Sequence, residues 1–580
     1  MSADPRDAVA LAQIQLFQGH FLRAVGVLER QGLLEASEAP CSPLQLQAMH
    51  LAATALFQAE RSDAVVEMLE RILPNEKDLE AIRDLAKAGR DTSDAALVKE
   101  EDSALSSPFG VMEPPRLRNS KPPSARKRSL GGAPGKSGID VVASLCTTMG
   151  LAFEVLENRT RATGYLVAAL EVDPRCVEAM ETLLNSGLLP VVRLKALITD
   201  LQSRLAPELA WLGDYYALRS AVLDPATVKE LSSANTMAEE GGFGSNVDVI
   251  AAKAEAAYYA DDIAEARTLA ERVHTQDPHH ERCALVLFAS LLEQENKNDL
   301  YYLAHKMIEE SPSSAVSWVG VGCYYLATKR PDLAQRYFHK ATKLQPRLAQ
   351  AWIGFGNAFS AQDESDQAMA AYRSAARLLP GSHVPSLYIG MEYIRSSNLS
   401  LAASFLTGAM GLNPLDPLIY NEIGVVSYRK GQYSEAEGYF RKALSLARPE
   451  ALMKRWAPTL VNLGHALRKQ RKFSDALANY QAALAMEPHA ADILAASAFT
   501  HHLAGDVAKA ISMYHKSLAI CPEDAFASEM LEKALHATIS LPLREALAST
   551  NVGNSEEQSG AESMMQSGAE SMMQSGAESM

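Results

Sequence analysis

Small and apolar positions recur through the middle of the chain every 34 residues, with polar positions filling the spaces between them. Trp318, Val321, Gly322 and Tyr325 are followed by Ala334, Phe338, Ala341 and Pro346. The spacing returns with Trp352, Phe355, Gly356, Phe359, Ala368, Tyr372, Ala375 and Pro380, and again with Ser386, Ile389, Gly390, Tyr393, Ala402, Leu406, Ala409 and Pro414. The first four positions of each set lie at intervals of three, one and three, which is one face of a helix; the next three, at four and three, are the face of a second. Each period therefore predicts a helical hairpin, with Gly or Ala at the crossing and an aromatic or Leu beside it. The proline has no N–H to donate and ends the second helix. One hairpin cannot bury both of its apolar faces, so neighbours must stack.

This succession of bulky, large, small and aromatic positions closed by proline is the tetratricopeptide (TPR) signature. It predicts an all-α TPR superhelix, an α-solenoid of antiparallel helix pairs, with a disordered insertion and tail. Residues 1–88 read as two degenerate repeats, in which Ala8, Leu11, Ala12 and Gln15 precede Ala24 and Leu28, and Ala48, Leu51, Ala52 and Ala55 precede Ala64, Met68 and Pro74. Their uncovered face suggests homodimerisation. Residues 89–138, rich in Pro, Ser, Gly and basic residues, read as a disordered linker. Within it Arg126-Lys127-Arg128-Ser129 makes Ser129 a candidate phosphosite, or the cluster a nuclear address, against the plain reading of a solvated charge run. Residues 139–246 hold a repeat (Cys146, Met149, Gly150, Phe153, then Ala162, Leu166, Ala169, Pro174) and degenerate helical repeats, with Gly241-Gly242-Phe243-Gly244 as a mobile joint. Residues 247–550 read as the regular superhelix and cap, with a six-residue insertion around Arg448 to Arg455. Residues 551–580 repeat Gln-Ser-Gly-Ala-Glu-Ser-Met every eight residues and read as a disordered low-complexity tail.

A formal net charge of −15 argues against nucleic acid or an anionic membrane as the main partner. There is neither an apolar run of membrane-spanning length nor a basic and apolar leader. Six cysteines without a CxxC read as reduced thiols, which suits the nucleus and cytoplasm. Gly131-Gly132-Ala133-Pro134-Gly135-Lys136-Ser137 resembles a phosphate loop but has Leu130 where a glycine is required. His279, His280 and Cys283, and the pair His501-His502, lack the further ligands that a structural metal needs. No catalytic, cofactor or metal site is expected, and once the repeats are counted no segment remains for a catalytic domain.

What stacked hairpins offer is a groove. The first helix of each lines the concave wall, and its positions outside the signature include Cys323, Asn357, Met391, Arg395, Asn421, Arg429, His465, Arg468 and Lys469. These run from apolar toward basic, suiting an extended or helical partner with apolar and acidic parts. The plain alternative is that the charges are merely solvated.

Words outside the generic positions carry a narrower resemblance. Asn158-Arg159-Thr160-Arg161-Ala162-Thr163, Ser317-Trp318 with Gly322-Cys323-Tyr324-Tyr325, and Ala351-Trp352-Ile353 are followed by Leu387-Tyr388-Ile389-Gly390-Met391-Glu392-Tyr393, Asn421-Glu422-Ile423-Gly424 and Asn462-Leu463-Gly464-His465. Over residues 140–525 the chain resembles the subunit 6 family of the anaphase-promoting complex (cyclosome). The resemblance implies a non-catalytic scaffold of a multisubunit ubiquitin ligase that drives mitotic protein destruction. It also implies a homodimer through the N-terminal repeats and a C-terminal superhelix that wraps a small extended subunit and stacks on other TPR subunits. The rivals are a sister TPR subunit of the same complex, a TPR-guided transferase, and a chaperone-tail clamp, for which Asn357, Arg395 and Arg429 form a loose set.

Overall fold

The computed structural model describes residues 5–31, 33–34, 43–73, 81–84, 86, 140–220, 246–260, 262–447 and 454–548. The linker 89–138 with Ser129 and the glycine-rich 131–137, the joint 241–244 and the tail 551–580 lie outside the described residues. Among the described residues all regular structure is helical. Chain contacts divide the protein into two compact units, Met1–Leu188 with Leu197–Tyr216, and Leu189–Ala196 with Ala217–Met580.

The first unit opens with α1 (Pro5–Phe17), α2 (Phe21–Arg30), α3 (Pro43–Gln58) and α4 (Ser62–Leu69) and continues with α5 (Val141–Val155), α6 (Arg159–Val172) and α7 (Val177–Asn185). The α5–α6 hairpin carries the signature: Ala162, Leu166 and Ala169 are fully buried, and a Cβ on Gly150 would lie 2.7 Å from Leu166 Cγ. In α1 the small positions behave as the pattern requires, since Ala8 and Ala12 are buried with Ala24 and Leu28 of α2. Leu11 does not. It is 46% exposed and joins Ile14, Phe17 and Leu22 on an open apolar face. The alanines bring α1 close enough to α2 to fill the crossing, which turns Leu11 outward.

Helices α8 (Val191–Arg204) and α9 (Ala210–Ser220) follow. In the second unit eight hairpins succeed one another: α10–α11 (Val247–Tyr259, Ile263–Gln276), α12–α13 (Glu281–Glu293, Lys297–Glu310), α14–α15 (Ala315–Ala327, Pro331–Leu344), α16–α17 (Ala349–Ser360, Ser365–Leu378), α18–α19 (Val384–Arg395, Leu399–Leu412), α20–α21 (Pro417–Arg429, Tyr433–Leu446), α22–α23 (Ala457–Lys469, Phe473–Met486) and α24–α25 (Ala491–Leu503, Val507–Ile520). Helix α26 (Ala525–Ala548) ends the array.

The crossings explain the period. A Cβ on Gly322 would lie 2.7 Å from Phe338, and the matching distances are 2.3 Å from Gly356 to Tyr372, 2.6 Å from Gly424 to Phe440 and 2.5 Å from Gly464 to Tyr480. Those rings are buried to 2% or less. Phe338 is gripped from both sides, because a Cβ on Gly354 of the next hairpin would meet it at 2.3 Å. One side-chain bond stitches each of three seams. The Trp318 and Trp352 indoles and the Tyr420 hydroxyl donate to the carbonyls of Pro312, Pro346 and Pro414, each at 2.9 Å. The closing proline thus ends one helix and supplies an acceptor to the next hairpin.

One recurring feature is absent from the signature. In seven of the eight hairpins of the second unit the inner turn holds a residue at positive φ: Glu295, Lys329, Asp363, Ser397, Gly431, Arg471 and Gly505. The interval from Gly431 to Arg471 exceeds the others by six residues, which places the insertion between hairpins α20–α21 and α22–α23.

Candidate peptide groove

Side chains from first helices of the second unit that are remote in sequence come near one another. Tyr258 of α10 and Tyr388 of α18, 130 positions apart, each have their hydroxyl pushed up mainly by burial among surrounding protein. Both feel Glu293 and Arg455, and Tyr258 also feels Tyr388. Tyr259 is about half open, yet protein surrounds it and pushes its hydroxyl up to about 12. Hairpins remote in sequence therefore share one space, as a groove requires.

Four of the nine wall candidates occupy one repeat position, directly beside the crossing ring. Asn357 accepts a 2.8 Å hydrogen bond from the Tyr372 hydroxyl, and His465 Nδ1 is 2.8 Å from the Tyr480 hydroxyl. Cys323 sits against Phe338 in the same position, its thiol pushed up to about 12 by burial, and Met391 sits against Leu406. The matching is chemical. A tyrosine is used where the neighbour can pair with its hydroxyl, and Phe or Leu where the neighbour is apolar. Burial of an unmatched hydroxyl would be unfavourable.

Arg395 and Arg429 also share a position, and both are ties between hairpins. The Arg395 guanidinium donates to the Ser360 carbonyl, to Ser360 Oγ at 2.9 Å and to Asp363 Oδ1 at 3.2 Å. Arg429 donates to the Ile394 carbonyl at 2.8 Å. With Asn357 held by Tyr372, the three residues of the loose clamp set are each engaged within the stack rather than gathered on one ligand.

Toward α22 the wall becomes buried and polar. Asn421 donates to Glu422 at 2.9 Å and accepts from Asn462 at 3.3 Å. Burial raises the Glu422 carboxyl to about 7, against the opposing pull of Asn421 and Arg429. Burial, aided by Arg468 and Lys469, lowers His465 to about 3, so its ring is neutral. Arg468 is 3% exposed and lies 5.1 Å from the centre of the Phe499 ring, while Lys469 is half-buried. The reading of these positions as open wall is thus corrected for Asn421, His465 and Arg468: the next hairpin covers them. Glu422, Asn462, Tyr258 and Tyr388 were missed. A lone acid in the otherwise apolar α20 was the available signal.

The histidines set apart earlier have local roles. His280 caps α12, its Nδ1 accepting from the Cys283 N–H at 3.2 Å, and Cys283 is buried against the Ala270 carbonyl. His279 pairs with Ser311 at 3.4 Å, and His501 lies 3.8 Å from Asp506. Among the described residues no cluster of three or more His, Cys, Asp or Glu has metal-binding geometry, and no helix is long and apolar enough to cross a membrane.

The model of the tetratricopeptide repeat family matches residues 416–488, and a second model of the same description matches 322–383 and 461–525. The chain is 40% identical over 406 residues to anaphase-promoting complex subunit 6 of Arabidopsis thaliana, a match covering 68% of this chain and 74% of that one. It is 35% identical to the cell division cycle protein 16 homolog of Mus musculus, over 67% of this chain but only 63% of the mouse protein. It is 32% identical to anaphase-promoting complex subunit cut9 of Schizosaccharomyces pombe, over 69% and 60% of the two chains. Among solved structures it is similar to a chain of the APC/C hetero-tetramer Cut9–Hcn1, with a TM-score of 0.67, 28% identity and coverage of 92% and 90% of the two chains.

Proposed function

The chain belongs to the subunit 6 family of the anaphase-promoting complex and is a TPR subunit of that ubiquitin ligase assembly, and from that premise we propose that it acts as a non-catalytic scaffold with two binding surfaces. One is the inner wall of the second unit, which holds a small extended or helical subunit. The other is the open face of α1 and α2, which pairs with a second copy of the chain. The outer surface of the array then stacks on other TPR subunits.

The observation that carries this reading is the approach of Tyr258, Tyr388, Glu293 and Arg455 from hairpins remote in sequence, which puts aromatic rings and both signs of charge on one inner wall. Such a lining suits an extended peptide, with rings supplying contact area and polar groups fixing register. The Cut9–Hcn1 hetero-tetramer, in which a chain of this fold is in complex with a second protein, supports a partner subunit here. Leu11, Ile14 and Phe17 of α1 with Leu22 of α2 support self-association, since exposed apolar residues gathered together mark interaction surfaces. The unbridged cysteines among the described residues support work in reducing compartments, the nucleus and cytoplasm.

Affinity purification from the native cell, with proteins identified by mass spectrometry, tests the assignment. Recovery of a small subunit together with cullin-like, RING and other TPR subunits is expected. Phe17→Glu should abolish self-association in analytical ultracentrifugation while the small subunit is still retained. Loss of the small subunit on Tyr388→Glu, with the dimer intact, would separate the two surfaces; recovery of chaperones alone would overturn the reading.

A further inference from the structure

One construction on the outer side of the hairpins is complete in α14–α15 and unfinished in α18–α19. In α14–α15 four groups lie face to face: Tyr325, Tyr337, Trp318 and the Lys340 ammonium. Their ring centroids are 5.2 and 5.9 Å apart, with planes within 5°, and Nζ stands 3.2 Å from the centre of the indole. At the repeat period Trp318 corresponds to Trp352, Ser386 and Tyr420, and Lys340 to Ser374, Gly408 and Lys442. Lys442 again lies over its ring, 4.1 Å from Tyr420. In α18–α19 the first half of the stack is built, with Phe405 5.4 Å from Tyr393, but Ser386 stands where the next ring belongs and Gly408 where the cation belongs. In the other four hairpins of the second unit the ring position holds a buried apolar residue, Ile250, Ala284, Leu460 or Leu494. Only Ser386 is polar and half-buried there.

The gap is open to the outside. Phe405 is partly exposed, and among the described residues no second ring lies against it. A Cβ on Gly408 would meet nothing within 4 Å. The carbonyls of Pro312, Pro346 and Pro414 each accept from an indole or phenol, whereas among the described residues no side chain donates to that of Pro380. This seam is nevertheless held from the inside. Ser360 donates to Glu392 at 2.5 Å, Arg395 donates to Ser360 Oγ at 2.9 Å, and the Tyr372 and Tyr388 rings stack at 5.2 Å. The gap is therefore preformed. Helix α19 beside it has no charged residue, while every other second helix of the eight hairpins has at least one. Its exposed positions are Ser400, Leu401, Ser404, Thr407, Gly408 and Gly411, most of them small enough for another backbone to come close.

We propose that this gap is a docking site for one tryptophan side chain, presented by an uncharged segment of another subunit. The site rests on the outer-surface stacking proposed above and narrows it to one recognition element. The neighbouring seams define the occupant. An indole there stacks on Phe405 as Trp318 stacks on Tyr337, and its N–H donates to the Pro380 carbonyl as Trp318 and Trp352 donate to theirs. A charged segment would give up solvation against α19 with no opposite charge on that helix to pair with. A large ring seated in a preformed gap, with its single donor satisfied, is the form that anchors of protein interfaces take.

The test fills the gap from within. Ser386→Trp completes the stack and the seam bond, so the full-length chain should melt at the wild-type temperature or above it. The assembly purified on the tagged S386W chain should nevertheless hold one other subunit at a level about tenfold or more below wild type, with the small groove subunit retained. Gly408→Glu, whose side chain enters open space in the free chain, should displace the same subunit without lowering the melting temperature. A photo-reactive residue in place of Ser404 identifies the contact. The linked peptide should contain a tryptophan, and changing that tryptophan to Ala should weaken assembly as far as S386W does, with little further loss when the two are combined. Retention of every subunit by both variants, or a linked peptide without tryptophan, would overturn the proposal while leaving the stacking reading intact. A lower melting temperature for S386W would show that the position does not take an indole and would overturn it as well. Absence of any link to another protein in the purified assembly would overturn both.

Discussion

The hairpins α14–α15 and α22–α23 are built on one crossing and put it to two uses. In both, a glycine lets a buried ring lie across the first helix: Gly322 under Phe338, Gly464 under Tyr480. In α14–α15 the residues facing inward from that ring are apolar or weakly polar, with Cys323 against Phe338. In α22–α23 the same face holds His465 and Arg468, both buried. The scaffold tolerates either lining because its stability lies in the crossing and the seam. The lining is then free to vary, at the cost of buried polar groups that must satisfy one another.

If the crossing is common to both regions, damage there should be equally severe in each. Phe338→Ala and Tyr480→Ala are each expected to cost about 3–5 kcal/mol, measured by denaturant unfolding. Gly356→Trp, which forces a ring into a gap where even a Cβ meets Tyr372 at 2.3 Å, should cost about 3 kcal/mol or more. A much milder loss at Tyr480 than at Phe338 would show that the polar hairpin is held by other means.

The next test separates the linings by pH. Glu422 has a folded-state value of about 7, above the ordinary carboxylate range, so the folded chain binds this proton more tightly than the unfolded chain. Its contribution therefore falls as pH rises from the ordinary carboxylate range through about 7. Glu422→Gln should leave stability near pH 4.5 almost unchanged and raise it by on the order of 3 kcal/mol at pH 8, as read from melting curves across that interval. A pH-independent difference would mean that Glu422 is ionised at no cost. No such trend is expected of a substitution at Cys323 below pH 8, where its thiol stays protonated.

Smaller again is the hydroxyl matching. Tyr480→Phe and Tyr372→Phe each remove a hydrogen bond to a partly or wholly buried neighbour and should cost about 1 kcal/mol. Phe338→Tyr, which adds a hydroxyl opposite Cys323, should cost a similar amount. Stabilisation by that change would break the matching rule. Smallest are the turns: Lys329→Gly should stabilise by about 1 kcal/mol, by relieving a side chain from positive φ, and Gly431→Ala should destabilise by a similar amount.

These turns also mark how far the fold was legible. Crossings and seams could be read from the chain because close approach admits only Gly or Ala and helix termination favours Pro, so physical constraint became a letter code. The positive-φ turns left no such trace. Glu295, Lys329, Asp363, Ser397 and Arg471 all adopt that backbone, its local cost being offset by caps such as Asn296 and Asn398 and by the packing of the two helices. The groove was legible as a set of positions but not as an environment. Arg395, Arg429 and Arg468 look alike in the chain, yet two tie adjacent hairpins together and the third is buried against the Phe499 ring. Whether a wall position is open depends on how closely the next hairpin leans over it, and that is set by residues more than thirty positions away.

The seam bonds have an optical consequence. Four tryptophans are present in the chain, and two of them, Trp318 and Trp352, each place the indole N–H on the carbonyl that closes the preceding hairpin. Lys340 Nζ lies 3.2 Å from the centre of the Trp318 ring, and among the described residues no cation is so placed over Trp352. Separation of either seam would release its indole to water and shift its emission to the red. Neighbouring junctions of the array thus carry spectrally distinguishable native reporters, and variants keeping one or the other would follow loosening of the stack junction by junction without any attached dye.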